Sequence, residues 1–167
     1  MAPNIMLKKN IISVVIVFMV FFFDRVSKYF IFNLSQPLGE LNLPITSFLN
    51  FNLVWNKGIA FGLFSFSQSF YYNVVTIIII LVILLMIWFA STSKGVEKIS
   101  FLMIIGGSLG NIFDRLYYSS VIDFIDISYN NFHWFIFNVA DIFITIGVVC
   151  LILVELIFDK YLKNENK

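Results

Sequence analysis

Apolar residues along the chain fall into four long segments separated by polar stretches. The segments cover about 11–34, 69–90, 99–116 and 138–158. A helix needs about 20 predominantly apolar residues to cross a hydrocarbon layer about 30 Å thick. The pattern therefore predicts an α-helical integral membrane protein with four transmembrane helices, organised as one membrane-embedded domain over residues 1–167.

Two of the polar segments, residues 35–68 and 117–137, are long enough to contain structure of their own. The first includes FNLVW, an alternating stretch typical of a β-strand. The second includes VIDFIDI, and in a strand Asp123 would share one face with Ile125 and Ile127 while Asp126 takes the other. We expect a small β-sheet or loop region here, with Asp123 facing the helices and Asp126 solvated.

The composition supports a membrane protein and excludes several chemistries. The chain is 60% hydrophobic and 13% charged, whereas soluble domains are about 45–50% apolar and about 25% charged. A net charge of +1 provides no basic surface for nucleic acid. The single Cys150 and single His133 argue against a disulfide, a Cys or His metal site and a Ser/His triad. We therefore expect no metal and no cofactor.

Basic residues predict the orientation of the helices. Seven of the eleven lie at the termini or between the second and third segments: Lys8, Lys9, Lys94, Lys98, Lys160, Lys163 and Lys167. Since positive charge is retained in the cytoplasm, both termini are predicted to be cytoplasmic and the two long polar segments external. No small-residue cleavage site follows Lys8 and Lys9, so the first segment is interpreted as a retained anchor.

This topology gathers dispersed polar residues at the outer face. They are Asp24, Asn56, Asn111, Asp114, Asp123 and Asp141. Asn138 and Asp141 are three residues apart and would share a helix face. Ionisable groups in membrane segments are usually functional, but a carboxylate here could equally cap the helix N-terminus.

Spacing suggests further pairs among these residues. Gly107, Asn111 and Asp114 form one stripe on the third segment, and Asp114 beside Arg115 is interpreted as a structural charge pair. Asp24 and Lys28 have the i, i+4 spacing of a stabilising helical ion pair.

Two carboxylates close together in a dry site cannot both ionise cheaply, so they share a proton. The ionised group can then deprotonate a water while the protonated group polarises a carbonyl. That chemistry is peptide hydrolysis without a covalent intermediate. A proton site in a transporter or channel subunit, and a non-enzymatic assembly factor, remain open at this point.

Five motifs occur in order along almost the whole chain. They are DRVSK (24–28), NKGIAFG (56–62), GGSLGNIFDR (106–115), VIDF (121–124) and FNVAD (137–141). Together they make the chain closely resemble lipoprotein signal peptidase, also called signal peptidase II, a family of bacterial membrane aspartyl peptidases.

The resemblance implies a catalytic pair, Asp123 and Asp141, and structural roles for Asp24 and Lys28. It further implies a set of supporting or substrate-binding residues. They are Asn56, Gly58, Gly107, Asn111, Asp114, Arg115, Asn138 and Ala140. From the dipole of the fourth helix we expect Asp141 to be ionised and Asp123 to hold the shared proton more often.

The resemblance also implies the substrate and the location. The family cuts diacylglyceryl-modified prolipoproteins just before the lipidated cysteine, in the bacterial cytoplasmic (inner) membrane with the site at the outer face. It is inhibited by globomycin-type antibiotics, and contact with membrane lipid follows from the spans. Many relatives have glycine where this chain has Ser119, and a serine with positive φ carries a conformational cost.

Overall fold

The computed structural model describes residues 3–36, 39–57, 68–129 and 132–165. Its four helices are α1 (Pro3–Leu34), α2 (Gln68–Thr92), α3 (Gly95–Tyr118) and α4 (Val139–Glu165). Each contains a stretch long and apolar enough to cross a membrane: Asn10–Leu34, Tyr72–Thr92, Gly95–Tyr118 and Val139–Phe158. The predicted class, four transmembrane helices with a small sheet, is confirmed.

Helix α3 lies at the centre of the bundle and packs against the other three helices. Half of its most apolar stretch is buried, against 6–17% for the other helices, whose apolar side chains therefore remain available to lipid. Glycines allow its neighbours to come close. A Cβ on Gly107 would lie 2.6 Å from the carbonyl oxygen of Ala140, and one on Gly106 would lie 2.7 Å from the Cβ of Val20.

A four-stranded antiparallel sheet covers one end of the bundle, which we call the sheet end. Its strands are β1 (Asn42–Pro44), β2 (Leu49–Asn56), β3 (Val121–Tyr129) and β4 (Phe132–Phe137), in the spatial order β1-β2-β3-β4. Strand β3 pairs with both β2 and β4, and Val54 lies opposite Asp123. Ile31 of α1 packs with Ile122 and Phe124 of β3, which fixes the sheet on the end of α1.

The predicted solvation of Asp126 is wrong. Side chains do alternate along β3, but the face that carries Asp126 is buried along the whole strand and the face that carries Asp123 is buried at its start. Asp123 is therefore 3% exposed and Asp126 is 1% exposed. The Asp126 carboxylate lies 2.8 Å from Nδ1 of His133 on the neighbouring strand. The alternation alone could not predict this, because burial depends on what lies above each face.

Helix α3 ends at Ser119 in a left-handed conformation, with φ 56°. This conformation costs a residue with a Cβ roughly 1–2 kcal/mol, and glycine adopts it freely. We therefore expect Ser119→Gly to stabilise the protein by about 1 kcal/mol, measured as a higher midpoint of thermal unfolding in detergent. The matched control is Ser93→Gly, which follows the end of α2 without a positive φ and should give no gain. Equal shifts for both variants would contradict this explanation.

Candidate active site

Asn138 and Asp141 cap helix α4 together. The side-chain oxygen of Asn138 accepts from the backbone N–H of Asp141 at 3.1 Å, and the carboxylate of Asp141 accepts from the backbone N–H of Asn138 at 3.1 Å. This reciprocal arrangement is a capping box. Asn138 therefore precedes the helix, which begins at Val139 rather than at the predicted residue 138. Capping and a place in a polar site, left as alternatives by the sequence, occur together at Asp141.

Asn138 also holds the second aspartate. Its side-chain N–H donates to Oδ1 of Asp123 at 2.6 Å, while Asn56 donates to Oδ2 of Asp123 at 2.8 Å. One asparagine, 0% exposed, therefore contacts the carboxylates of both Asp123 and Asp141. The structure brings these two residues together from the sheet and from the start of α4.

The surroundings of Asp123 favour its protonated form. Burial raises the pKa of this carboxyl from 3.8 to about 6, and the negative charge of Asp141 acts in the same direction. The hydrogen bonds from Asn56 and Asn138 and the positive charge of Lys28 act in the opposite direction. A carboxyl with a pKa near neutrality can both hold and release a proton at physiological pH.

Asn111 connects Asp141 to a buried cation. Its side-chain N–H donates to Oδ1 of Asp141 at 2.8 Å, and its side-chain oxygen accepts from Nζ of Lys28 at 2.8 Å. Because the ammonium can only donate, it fixes which way the Asn111 amide points. Lys28 thereby orients the N–H group that Asn111 presents to Asp141.

Two acids and two bases form an ionic cluster beneath the site. Nζ of Lys28 lies 3.0 Å from Asp24 and 2.7 Å from Asp114, and Arg25 bonds each of these carboxylates at 2.5 Å. Asp24 and Asp114 are 0% exposed, and Lys28 is 1% exposed. The predicted Asp24–Lys28 pair is confirmed.

The predicted pair between Asp114 and Arg115 is wrong. Adjacent residues on a helix point about 100° apart, and Asp114 turns toward α1, where Arg25 and Lys28 lie. The Arg115 guanidinium instead lies over the ring of Tyr72, with its carbon 5.3 Å from the ring centroid.

The ionic cluster also positions backbone groups of the site. Asp24 accepts from the backbone N–H of Ala140 at 3.0 Å, and Asp114 accepts from the backbone N–H of Ile122 at 3.2 Å. Ala140 precedes Asp141, and Ile122 precedes Asp123. The cluster therefore anchors the chain immediately before each aspartate of the pair.

Sequence reasoning missed Arg25. Besides its two carboxylates, it donates to the carbonyl of Gly110 at 3.0 Å and lies against the rings of Phe21 and Phe113. The adjacency of Asp24 and Arg25 in DRVSK could have indicated an ion pair. The i, i+4 spacing of a helix pointed to Lys28 as the partner of Asp24 instead. The carboxylate of Asp24 also fills the space in which a side chain at Gly110 would lie.

Two other predicted site residues, Gly107 and Arg115, form no hydrogen bond with the pair in the described part of the chain. Gly107 contributes close packing against Ala140 rather than a polar group. Two nitrogens of Arg115, Nε and Nη1, are buried without a hydrogen-bond partner in the described part of the chain. Gly58 lies outside the described residues. Among residues that are described, no group of three or more His, Cys, Asp or Glu could hold a metal ion.

Comparisons with known proteins agree with this architecture. A family model described as signal peptidase (SPase) II matches residues 16–158. A lipoprotein signal peptidase of Pelagibacter ubique is 49% identical over 163 residues, covering 98% of this chain and 98% of the relative. One of Anaplasma marginale is 32% identical over 154 residues, covering 91% and 88%.

Two solved structures share the fold. Both are described as bacterial membrane enzymes studied by the in meso method, at 2.3 Å and 1.9 Å resolution. The first has a TM-score of 0.68 and 32% identity over 89% of this chain and 88% of its own. The second has a TM-score of 0.70 and 31% identity over 86% and 92%.

Four membrane-length helices and the likeness to these structures define a multi-pass protein with the fold of a membrane enzyme. The family model and the relatives match most of the sequence, so they assign the chain to one family within this class. The chain belongs to the signal peptidase II family. Of the three classes that the sequence left open, family membership selects the peptidase.

Proposed function

We propose that this protein is an aspartic endopeptidase that removes the signal peptide from diacylglyceryl-modified prolipoproteins, with Asp123 and Asp141 as its catalytic pair. The observation that carries the proposal is that one residue, Asn138, binds both carboxylates: its side chain donates to Asp123 at 2.6 Å and its backbone N–H donates to Asp141 at 3.1 Å. The names of the lipoprotein signal peptidases that this chain resembles support the substrate.

In the proposed reaction Asp123 begins with the shared proton and Asp141 begins ionised. Asp141 takes a proton from water as the water oxygen attacks the scissile carbonyl carbon, and Asp123 gives its proton to the carbonyl oxygen. The resulting gem-diol collapses when the proton on Asp141 passes to the amide nitrogen and the C–N bond breaks. A gem-diol hydroxyl then returns a proton to Asp123, so both carboxyls end as they began.

The supporting residues have distinct tasks in this proposal. Asn111 and Asn138 fix the positions of the two carboxylates. The ionic cluster fixes the backbone at Ala140 and Ile122. Two nitrogens of Arg115 donate to no acceptor in the described residues, which suits donation to backbone carbonyls of the substrate. A globomycin-type cyclic peptide would compete for the same donors.

The position of the pair suits a lipidated substrate. Asp141 lies in the first turn of a membrane-length helix, so the site is at the depth where one span begins. A peptide whose cysteine carries acyl chains could be cut there while the chains stay in the bilayer. By the distribution of lysines, this sheet end faces away from the cytoplasm of a bacterial inner membrane, and both termini face the cytoplasm.

The substrate assignment predicts a strong dependence on the lipid. Purified protein in detergent is expected to cleave a diacylglyceryl-modified prolipoprotein just before the modified cysteine and to leave the unmodified form of the same precursor intact. Mass spectrometry of both products locates the cut. Equal cleavage of the two precursors, or a cut at another bond, would contradict the proposed specificity while leaving the peptidase class standing.

The proposed proton on Asp123 predicts the alkaline limit of activity. Since the pKa of Asp123 is raised to about 6, kcat/KM should fall as pH rises through that value and the proton is lost. Asn56→Ala removes a hydrogen bond that stabilises the ionised form, so its limit should move upward by about one pH unit. The pH dependence of kcat/KM measures the alkaline limit of the wild type and its shift in Asn56→Ala.

Asn50→Ala provides the control for that shift. Asn50 lies on the same strand as Asn56 but donates to Ser128 at 2.9 Å instead of to the site. Its alkaline limit should match that of the wild type. A downward shift in Asn56→Ala, or the same shift in both variants, would show that the limit does not report Asp123.

A further inference from the structure

A groove runs along the bundle on the side of α3 that α1 and α2 flank. It has a volume of about 770 Å³, within the range of about 300–1,000 Å³ that is usual for small-molecule sites. Its lining extends from Lys98 to Leu116 on α3, about 27 Å of helix. The residues that line it differ from the polar residues of the proposed catalytic site.

The two ends of the groove differ in polarity. At the end away from the sheet, the lining includes Asn10, Ser13, Ser91 and Lys98. From there to the sheet end the described lining residues are all aliphatic or aromatic. This is the polarity of an amphiphile inserted from one leaflet. A transmembrane segment of another protein is polar at both ends and would match only half of the lining.

The walls also favour an occupant from the leaflet at the end away from the sheet. Among its described side chains, helix α2 lines the groove only through Ile87, Ala90 and Ser91, within the last two turns before it ends at Thr92. The groove therefore has three walls only at its polar end. Toward the sheet end it becomes an open apolar surface on α1 and α3.

The charge at the polar end favours an anionic headgroup. Lys98 is half-buried and lines the groove, and its ammonium forms no salt bridge within the described residues. Glu97 is adjacent in sequence but does not line the groove, and neither does any other acid among the residues that the structure describes. Basic pockets between transmembrane helices commonly bind acidic lipid headgroups.

We propose that this α1–α2–α3 groove binds one anionic phospholipid, with its phosphate against Lys98 and an acyl chain along α1 and α3. The site does not depend on the proposed catalytic pair. It would hold α1 and α2 in place on α3 from the leaflet opposite to the sheet.

Native mass spectrometry of the full-length chain tests the proposal, after delipidation in detergent and exposure to equal amounts of phosphatidylglycerol and phosphatidylcholine. Wild-type protein should retain phosphatidylglycerol about fivefold more than phosphatidylcholine, the ratio expected for one basic side chain near an anionic surface. Lys98→Gln should abolish this preference. Lys94→Gln, which removes a neighbouring exposed lysine outside the groove, should preserve it.

A second pair of variants tests the apolar part. Val14 lines the groove and is 68% exposed, whereas Val15 points elsewhere on the same helix and is 51% exposed. Val14→Trp should fill the groove and lower retention of both lipids, and Val15→Trp should not. Since both positions are exposed, neither change disturbs the packed core.

Three results would overturn the proposal. The first is equal retention of the two lipids by the wild type. The second is an equal effect of the Lys94 and Lys98 variants, which would indicate diffuse surface charge. The third is capture of a signal peptide, in place of lipid, by a photo-reactive residue at position 14, which would make the groove a peptide-binding surface.

Discussion

Asp123→Asn and Asp141→Asn are each expected to lower the rate of prolipoprotein cleavage by about a thousandfold, the scale of a lost general acid or base. An amide at either position cannot exchange the proton that the reaction requires, although it keeps nearly the same shape. Single-turnover cleavage of a diacylglyceryl-modified precursor measures the effect. Thermal unfolding of each variant separates lost chemistry from lost structure.

Asp126→Asn is the matched control for this loss. Asp126 lies on the same strand as Asp123, is equally buried and also accepts a hydrogen bond, from His133. Asp126 bonds His133 and forms no hydrogen bond with Asn138 in the described residues. The Asp126→Asn variant should therefore cleave at a rate close to that of the wild type. If Asp126→Asn were inactive and Asp123→Asn active, the catalytic pair would have been assigned wrongly.

Lys28→Met is expected to destabilise the folded protein by about 3–5 kcal/mol, the range for breaking a buried ion pair by removing one partner. Lys28 is 1% exposed and bonds Asp24, Asp114 and Asn111. Without it, Arg25 alone compensates two buried carboxylates. A reversible unfolding titration with SDS in mixed micelles measures the change.

A second substitution tests whether charge causes the loss. Asp24→Asn in the Lys28→Met background removes the surplus negative charge and keeps an oxygen that can accept from Ala140. We expect the double variant to be more stable than Lys28→Met alone. Lys94→Met, at an exposed lysine, should change little. No recovery in the double variant would assign the loss to packing of the lysine stem.

The sequence predicted the number of the helices and their positions along the chain well, because the bilayer imposes a local rule. About 20 apolar residues are needed wherever a helix crosses the bilayer. Such a run can be recognised in the sequence without knowledge of any tertiary contact. The predicted bounds differ from the structure mainly at the helix ends. At α4 the difference is physical, because Asn138 bonds Asp141 as a cap instead of joining the helix.

Pairings between distant residues were predicted less well. Spacing along one helix paired Asp24 with Lys28, four residues later, and the structure confirms this contact. The same local logic assigned Asp114 to its neighbour Arg115, whereas the structure pairs it with Arg25, 89 residues away. Sequence spacing cannot rank a near partner against a distant one when helix packing brings the distant one closer.

The sequence by itself determined that this chain crosses a membrane four times and that its motifs are those of a signal peptidase II. These properties depend on composition, on the length of apolar runs and on the order of short motifs. Only the tertiary structure decided that Asn138 joins Asp123 to Asp141 and that both Asp123 and Asp126 of β3 are buried. Such contacts join residues from different elements, so they form only when packing has brought those elements together.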